Sequence, residues 1–203
     1  MIIDKDDFYI TSDLHFGHKL VAQNIRGFDT TQEHDDVIEE NIMRTVPKGA
    51  LLLVLGDISV HQDEYALERI EKIKNILNLT LVLTPGNHDM IHPMFGIEKN
   101  LKYSKMYNAV FDLISPEIKS SYKSKSAVFT HYHAYESEYT QTFNHLRAKP
   151  DPTLWDFIVH GHDHGGKQVG YHQVNVALEH TDLNPISSRY LCDLLEDSKN
   201  VYL

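Results

Sequence analysis

The stretch Leu51-Leu52-Leu53-Val54-Leu55-Gly56-Asp57 constrains this chain more than any other. Five consecutive apolar residues closed by Gly and Asp read as a buried strand that stops abruptly. Glycine lets the backbone turn sharply, so the aspartate is delivered just past the strand's end. In open α/β sheets that is where ligands bind. Four further apolar runs end in the same way, each handing over Asp, Asn or His. The spacing predicts that these ends meet around a common site, with Asp57 at its centre.

In chain order, Phe8 to Ser12 reads as the first strand and delivers Asp13-Leu14-His15. Thr30-Thr31-Gln32-Glu33 fits a capping box for a helix carrying Val37, Ile38, Ile42 and Val46, which Pro47-Lys48-Gly49 stops. Asp63 is expected to cap the next helix, whose apolar face is Ala66, Ile70, Ile73 and Leu77. Leu79 to Thr84 is a second buried strand and delivers Gly86-Asn87-His88-Asp89. Ala109 to Ile114 and Ala127 to Thr130 read as strands, the latter ending in His131, and a weak helix is expected over Tyr139 to Ala148. Phe157-Ile158-Val159 leads to His160-Gly161-His162-Asp163-His164, and Val174-Asn175-Val176 is a late strand. Asn184-Pro185 has the N-cap and N1 signature of a last helix faced by Tyr190, Leu191, Leu194 and Leu195. No repeat or linker divides residues 1–203, so a single domain is expected, with α/β layers and mixed sheets.

Composition narrows the function. A net charge of -10 argues against extended duplex nucleic acid, whose affinity comes mostly from counterion release by Lys and Arg. The lone Cys192 excludes an internal disulfide. No basic leader or membrane-length apolar run is visible, so a cytoplasmic protein without membrane contact is expected. Asp13, His15, Asp57, Asn87, His131, His162 and His164 all stand at strand ends. Carboxylate, imidazole and amide together suit divalent Mn, Fe, Zn or Ni. Seven donors exceed one tetrahedral ion and suit two ions sharing a bridge.

Asp13-x-His15, Gly56-Asp57, Gly86-Asn87-His88-Asp89, the isolated His131 and Gly161-His162-x-His164 resemble, in order and rough spacing, the signature of the calcineurin-like metallophosphoesterase superfamily. The motifs span most of the chain. The loop Asp13 to His18 and the late Val174-Asn175-Val176 with Pro185-Ile186 further resemble its small stand-alone bacterial and phage members. The resemblance implies an αββα sandwich of two facing mixed sheets flanked by helices. It implies that Asp13, His15 and His164 hold one metal, that Asn87, His131 and His162 hold a second, and that Asp57 bridges them. His88 would face the scissile phosphate as the catalytic residue. Two divalent ions are the implied cofactors, Mn first among them, activating a bridging hydroxide.

There is one departure. The protein Ser/Thr phosphatase branch follows its Gly-Asp pair with a second Asp and a phosphate-clamping Arg; here Val60 and His61 stand in those places. That disfavours a protein phosphatase and leaves the partner of His88 open, Asp89 being either a partner or a loop brace. His18 reads equally as a substrate contact or a support of the Asp13 loop. Arg26 reads as a phosphate fork or as the partner of a nearby acid. His61, His92, His133 and His160 read as loop or supporting residues, and His34, His145, His172 and His180 as surface or capping ones. Residues 99–125 carry six lysines against Asp112 and Glu117, either as a rim that attracts a phosphorylated substrate or as a solvated hairpin. The expected activity is hydrolysis of a phosphorylated small molecule or nucleotide, a diester before a monoester. A non-catalytic scaffold of the same fold is the alternative from another class.

Overall fold

A computed structural model describes residues 1–134 and 149–201. Ten strands are found among them: β1 Tyr9–Thr11, β2 Leu51–Val54, β3 Thr80–Leu83, β4 Leu113–Ile114, β5 Ile118–Tyr122, β6 Lys125–Phe129, β7 Phe157–His160, β8 Val169–Gly170, β9 Gln173–Asn175 and β10 Ile186–Ser187. The helices are α1 Thr31–Thr45, α2 Asp63–Leu77, α3 Gly96–Val110 and α4 Ser188–Ser198. The strands form two five-stranded sheets, ordered β10-β1-β2-β3-β4 and β5-β6-β7-β9-β8. In the first, β1 to β4 are parallel and β10 is antiparallel to β1. In the second, β6, β7 and β9 are parallel, with β5 and β8 antiparallel at the edges. Both sheets are mixed, as expected.

The continuous apolar run of β2 has a direct explanation, because both of its faces are covered. Leu52 and Val54 pack with Leu81 and Leu83 against Ile38 and Ile42 of α1 and Ala66 and Ile70 of α2. Leu53 and Leu55 belong to the other core, with Ile10, Phe129, Phe157, Val159 and Val174, so the sheets face one another. Leu191, Leu194 and Leu195 of α4 close that second core. Parallel pairing places the carboxyl ends of β1, β2 and β3 at one edge, and those of β6 and β7 together in the facing sheet. A parallel bridge between Ser12 and Ala177 joins these edges, while Ser12 Oγ donates to the Leu55 carbonyl of the neighbouring strand end at 2.8 Å.

Several local expectations are corrected. Asp63 does not cap α2: the N-cap is Gln62, without a side-chain bond, and Asp63 is the first helical residue. Its carboxylate instead accepts from Met90 N at 3.0 Å and from the Tyr107 hydroxyl at 2.5 Å, tertiary donors that outcompete the local cap. Ala109 to Ile114 is not one strand, because α3 runs to Val110 and buries Tyr107 and Val110. Asn184-Pro185 does not start α4. Ile186 and Ser187 first pair with β1, and Ser187 is the N-cap, accepting from Tyr190 N. Tyr190 therefore faces solvent at 46% exposure. The helix expected over Tyr139 to Ala148, and His145 with it, lies outside the described residues. Among the described residues no helix is long and apolar enough to cross a membrane.

Candidate metal centre

The site stands on strained loops that follow the strands. Asp13, His15, Asp57 and His162 all have left-handed backbones, with φ of 59°, 50°, 53° and 69°. For non-glycine residues this costs on the order of 1–3 kcal/mol each, and it persists only where the surroundings over-determine it. Here they do. Asp13 N donates to the Gly56 carbonyl at 2.9 Å and His15 N to the Asp57 carbonyl at 3.0 Å. His162 N donates to Asp13 Oδ2 at 2.9 Å, and His88 N to Asp57 Oδ1 at 2.9 Å. Gly56, at φ 88°, passes so close to the next loop that an added Cβ would lie 2.4 Å from Gly86 N.

Two donor groups result, Asp13 with His15 and His164, and Asp57 with His131 and His162. Within each, the candidate ligand atoms all lie within 4.8 Å of one another. His15 Nε2 and His164 Nε2 are 3.1 Å apart, as are His131 Nε2 and His162 Nδ1 at 3.2 Å. Two nitrogens on one ion, each bound at about 2.0–2.1 Å, fall at this kind of separation. Asp13 Oδ1 and Asn87 Oδ1 are buried without a hydrogen-bond partner among the described residues. Such groups are costly unless something else satisfies them, and a cation does. The donor set and these orphaned oxygens fit a pair of divalent ions.

The electrostatics differ between the two groups: burial pushes His131 down, but Asp57 outweighs it and holds His131 at about 9, so an ion at the second group would displace a proton. Burial pushes the Asp57 carboxyl up, but the charge and contact of His131, with His88 and His15, outweigh it and hold Asp57 well below the usual carboxylate range. Burial, helped by the charges of His164, Arg26 and His88 and opposed by Asp57, drives His15 well below the ordinary histidine value, which leaves it the neutral imidazole that a metal ligand must be. The His88 ring lies edge-on to His15, with centroids 5.8 Å apart, and the His18 ring is 5.6 Å from His15.

Residues beyond the motifs support the centre. Asp89 is a brace: its carboxylate accepts from Asp57 N at 3.0 Å, Ile58 N at 2.9 Å and Gly86 N at 2.7 Å. Arg26 is the partner of an acid, in a buried pair rather than a surface one. Its side chain is 2% exposed, and it donates to the carbonyls of Asp13 and Leu14 and to Glu179 Oε1. His34, read as a surface residue, is fully buried between Arg26 and Asp35, because Arg26 needs an acceptor beneath it. Glu179 was not legible at all. It sits 2.8 Å from His164 Nδ1 in the short 3-10 helix Leu178–His180, and only its place after the late strand, one more strand end at this edge, could have drawn notice. Burial pushes its carboxyl up; His164 and Arg26 outweigh this and hold it at about 2. His92, His133 and His160 are buried supporting residues, as expected. The lysine-rich segment is split between α3 and the β5–β6 hairpin. Lys123 and Lys125 stand at the turn, the opposite end of β6 from His131, and Lys123 pairs with Glu196.

Facing mixed sheets that gather His and Asp donors at a shared edge define a metallophosphoesterase architecture. The sequence profile of the calcineurin-like phosphoesterases matches residues 7–183, and the chain belongs to that family. It is 25% identical over 187 residues to the Gene 66 protein of Mycobacterium phage L5, covering 84% of this chain and 86% of the relative. The Gene 66 protein of Mycobacterium phage D29 is 28% identical over 162 residues, 77% of each chain. The crystal structure of a protein of unknown function, AQ665 from Aquifex aeolicus, superposes with a TM-score of 0.66 at 23% identity, covering 93% of this chain and 98% of that one, and so shares its fold.

Proposed function

We propose that this protein hydrolyses phosphodiesters with two divalent ions, Mn first among them, on a phosphorylated small molecule or nucleotide. The observation that carries the reading is the pair of donor groups, each within 4.8 Å, where strand ends of the two facing sheets meet beside His88. Asp13, His15 and His164 would hold one ion and Asn87, His131 and His162 the other, with Asp57 between them. Such ions, when bound, neutralise phosphate charge and lower the pKa of water. His88 has its backbone N–H anchored on Asp57, and its ring lies beside that of His15. From there it gives a proton to the departing oxygen, a role worth about 10²–10⁴-fold. His18 borders the same space and contacts substrate.

The diester preference follows from charge. A monoester is largely a dianion near neutral pH, as its second pKa is about 6, and is best bound by a bidentate arginine. Arg26 lies nearest the motifs, and it is buried and spent on Asp13, Leu14 and Glu179. A diester carries a single charge, which the two ions would neutralise without a further arginine. Comparing bis(p-nitrophenyl) phosphate with p-nitrophenyl phosphate at saturating Mn²⁺ tests this. A higher kcat/KM on the diester is expected; a higher value on the monoester overturns the preference, and no metal-dependent hydrolysis of either overturns the activity.

A further inference from the structure

A buried polar chain runs from helix α1 to His164. Asp35 accepts from Gly17 N at 2.9 Å and the Tyr65 hydroxyl at 2.9 Å through one oxygen, and its other oxygen lies 2.7 Å from His34 Nδ1. The opposite ring nitrogen of His34 faces Arg26 Nη1 at 2.9 Å. The guanidinium cannot accept, so that nitrogen must be the acceptor, and the proton of His34 lies on Nδ1. Arg26 in turn donates from Nη2 to the Asp13 carbonyl at 2.6 Å and from Nε to Glu179 Oε1 at 2.8 Å. The same Oε1 is 2.8 Å from His164 Nδ1, a close ionic contact rather than an aligned hydrogen bond.

We infer that Glu179, held in place by Arg26, is a positioning residue that orients His164 and selects its tautomer for the first metal. The carboxylate draws the ring proton to Nδ1, which leaves Nε2 as the lone-pair nitrogen. That nitrogen is the one turned toward His15 Nε2, 3.1 Å away, and toward Asp13 Oδ1, 3.7 Å away. Carboxylates behind metal-bound histidines act in this way, and their loss costs about 10–100-fold in metal affinity. Arg26 does a second task with the same side chain, since its bond to the Asp13 carbonyl fixes the loop that carries another ligand of that metal. In the second group, His131 places its Nδ1 2.6 Å from the Leu55 carbonyl, a neutral acceptor rather than a carboxylate. Glu179 touches His164 of the first group, so its effect is expected on that metal.

The inference rests on the two-metal reading, and a binding experiment separates the two. Metal-free wild type, Glu179→Gln, Glu179→Ala and His164→Ala are titrated with Co²⁺ by calorimetry while the visible spectrum follows each step, and the melting temperature of each metal-free protein is recorded. Glutamine keeps an acceptor for Arg26 and the shape of the site but lacks the charge, so it tests the role without emptying the pocket. Wild type is expected to show two steps. In Glu179→Gln the step that His164→Ala abolishes should weaken about 10–100-fold, with the other within about twofold. Glu179→Ala should weaken the same step further. Two unchanged steps in both Glu179 variants overturn the inference and leave the two-metal reading standing. Equal weakening of both steps in parallel with a lower metal-free melting temperature also overturns it, as that is a fold-wide role. A wild type that takes up no ion overturns both.

Discussion

Replacing Asp89 with asparagine tests whether three buried bonds hold the central loops. Asp89 is fully buried, and Oδ2 accepts from Asp57 N and Gly86 N while Oδ1 accepts from Ile58 N. Each buried donor left without an acceptor costs about 1–3 kcal/mol. Alanine strands all three, about 3–9 kcal/mol, which approaches the whole stability of a domain at about 5–15 kcal/mol. Asparagine is the usable probe. Its one acceptor oxygen can take the place of Oδ2 and keep the two bonds there, while its amide turns donor against donor toward Ile58 N. The expected loss is about 1–3 kcal/mol, or about 2–12 °C in melting temperature at 2–4 °C per kcal/mol for this size. The assay is urea and thermal unfolding of the metal-free protein, followed by metal titration. Asp57 keeps its left-handed backbone only while this loop is held, so metal affinity should fall as well. A melting temperature within about 1 °C of wild type, with unchanged metal affinity, would refute the claim that Asp89 braces the centre.

Three more outcomes are expected. His88→Ala should lose about 10²–10⁴ in kcat while elemental analysis still finds both ions; loss of metal would mean that His88 is itself a ligand. His92 is held at about 4, against an ordinary 6.5, by burial and then by the charge of His131. Its folded-state value is depressed, so its contribution is full above pH 6.5 and is lost as pH falls from there toward about 4. His92→Asn keeps an acceptor for Met94 N and should flatten the dependence of melting temperature on pH in that window; an unaltered slope contradicts the assignment. Lys123→Ala with Lys125→Ala should leave kcat/KM and its salt dependence within about twofold of wild type, because both residues flank the turn at the far end of β6 and exposed charges are screened beyond about 8–10 Å. A clear rise in KM would restore the lysines as a substrate rim.

Much of the site was legible because its chemistry is tied to chain-local geometry. A glycine or a short loop after a buried strand fixes where the next polar residue emerges, so Asp13, Asp57, Asn87, His131 and His162 could be placed from the order of the apolar runs alone. The run Leu51 to Leu55 announced its own burial on both faces, and Thr30 announced the start of α1, accepting from Glu33 N at 3.1 Å as a cap should. What the sequence could not decide was competition between partners distant along the chain. Asp63 had the right neighbours for a cap and took Met90 and Tyr107 instead; Asn184-Pro185 had the signature of a helix start, but Ile186 and Ser187 pair with β1 first and Ser187 becomes the cap. Arg26 and Glu179 are 153 positions apart and belong to no motif, yet they meet at 2.8 Å because the folded sheets bring the loop after β1 against the turn after β9. Local rules set which donors each strand end offers. Only the tertiary structure decides which of those donors are spent on the protein itself, since a buried polar group is costly without a partner, and the nearest one in space need not be near in sequence.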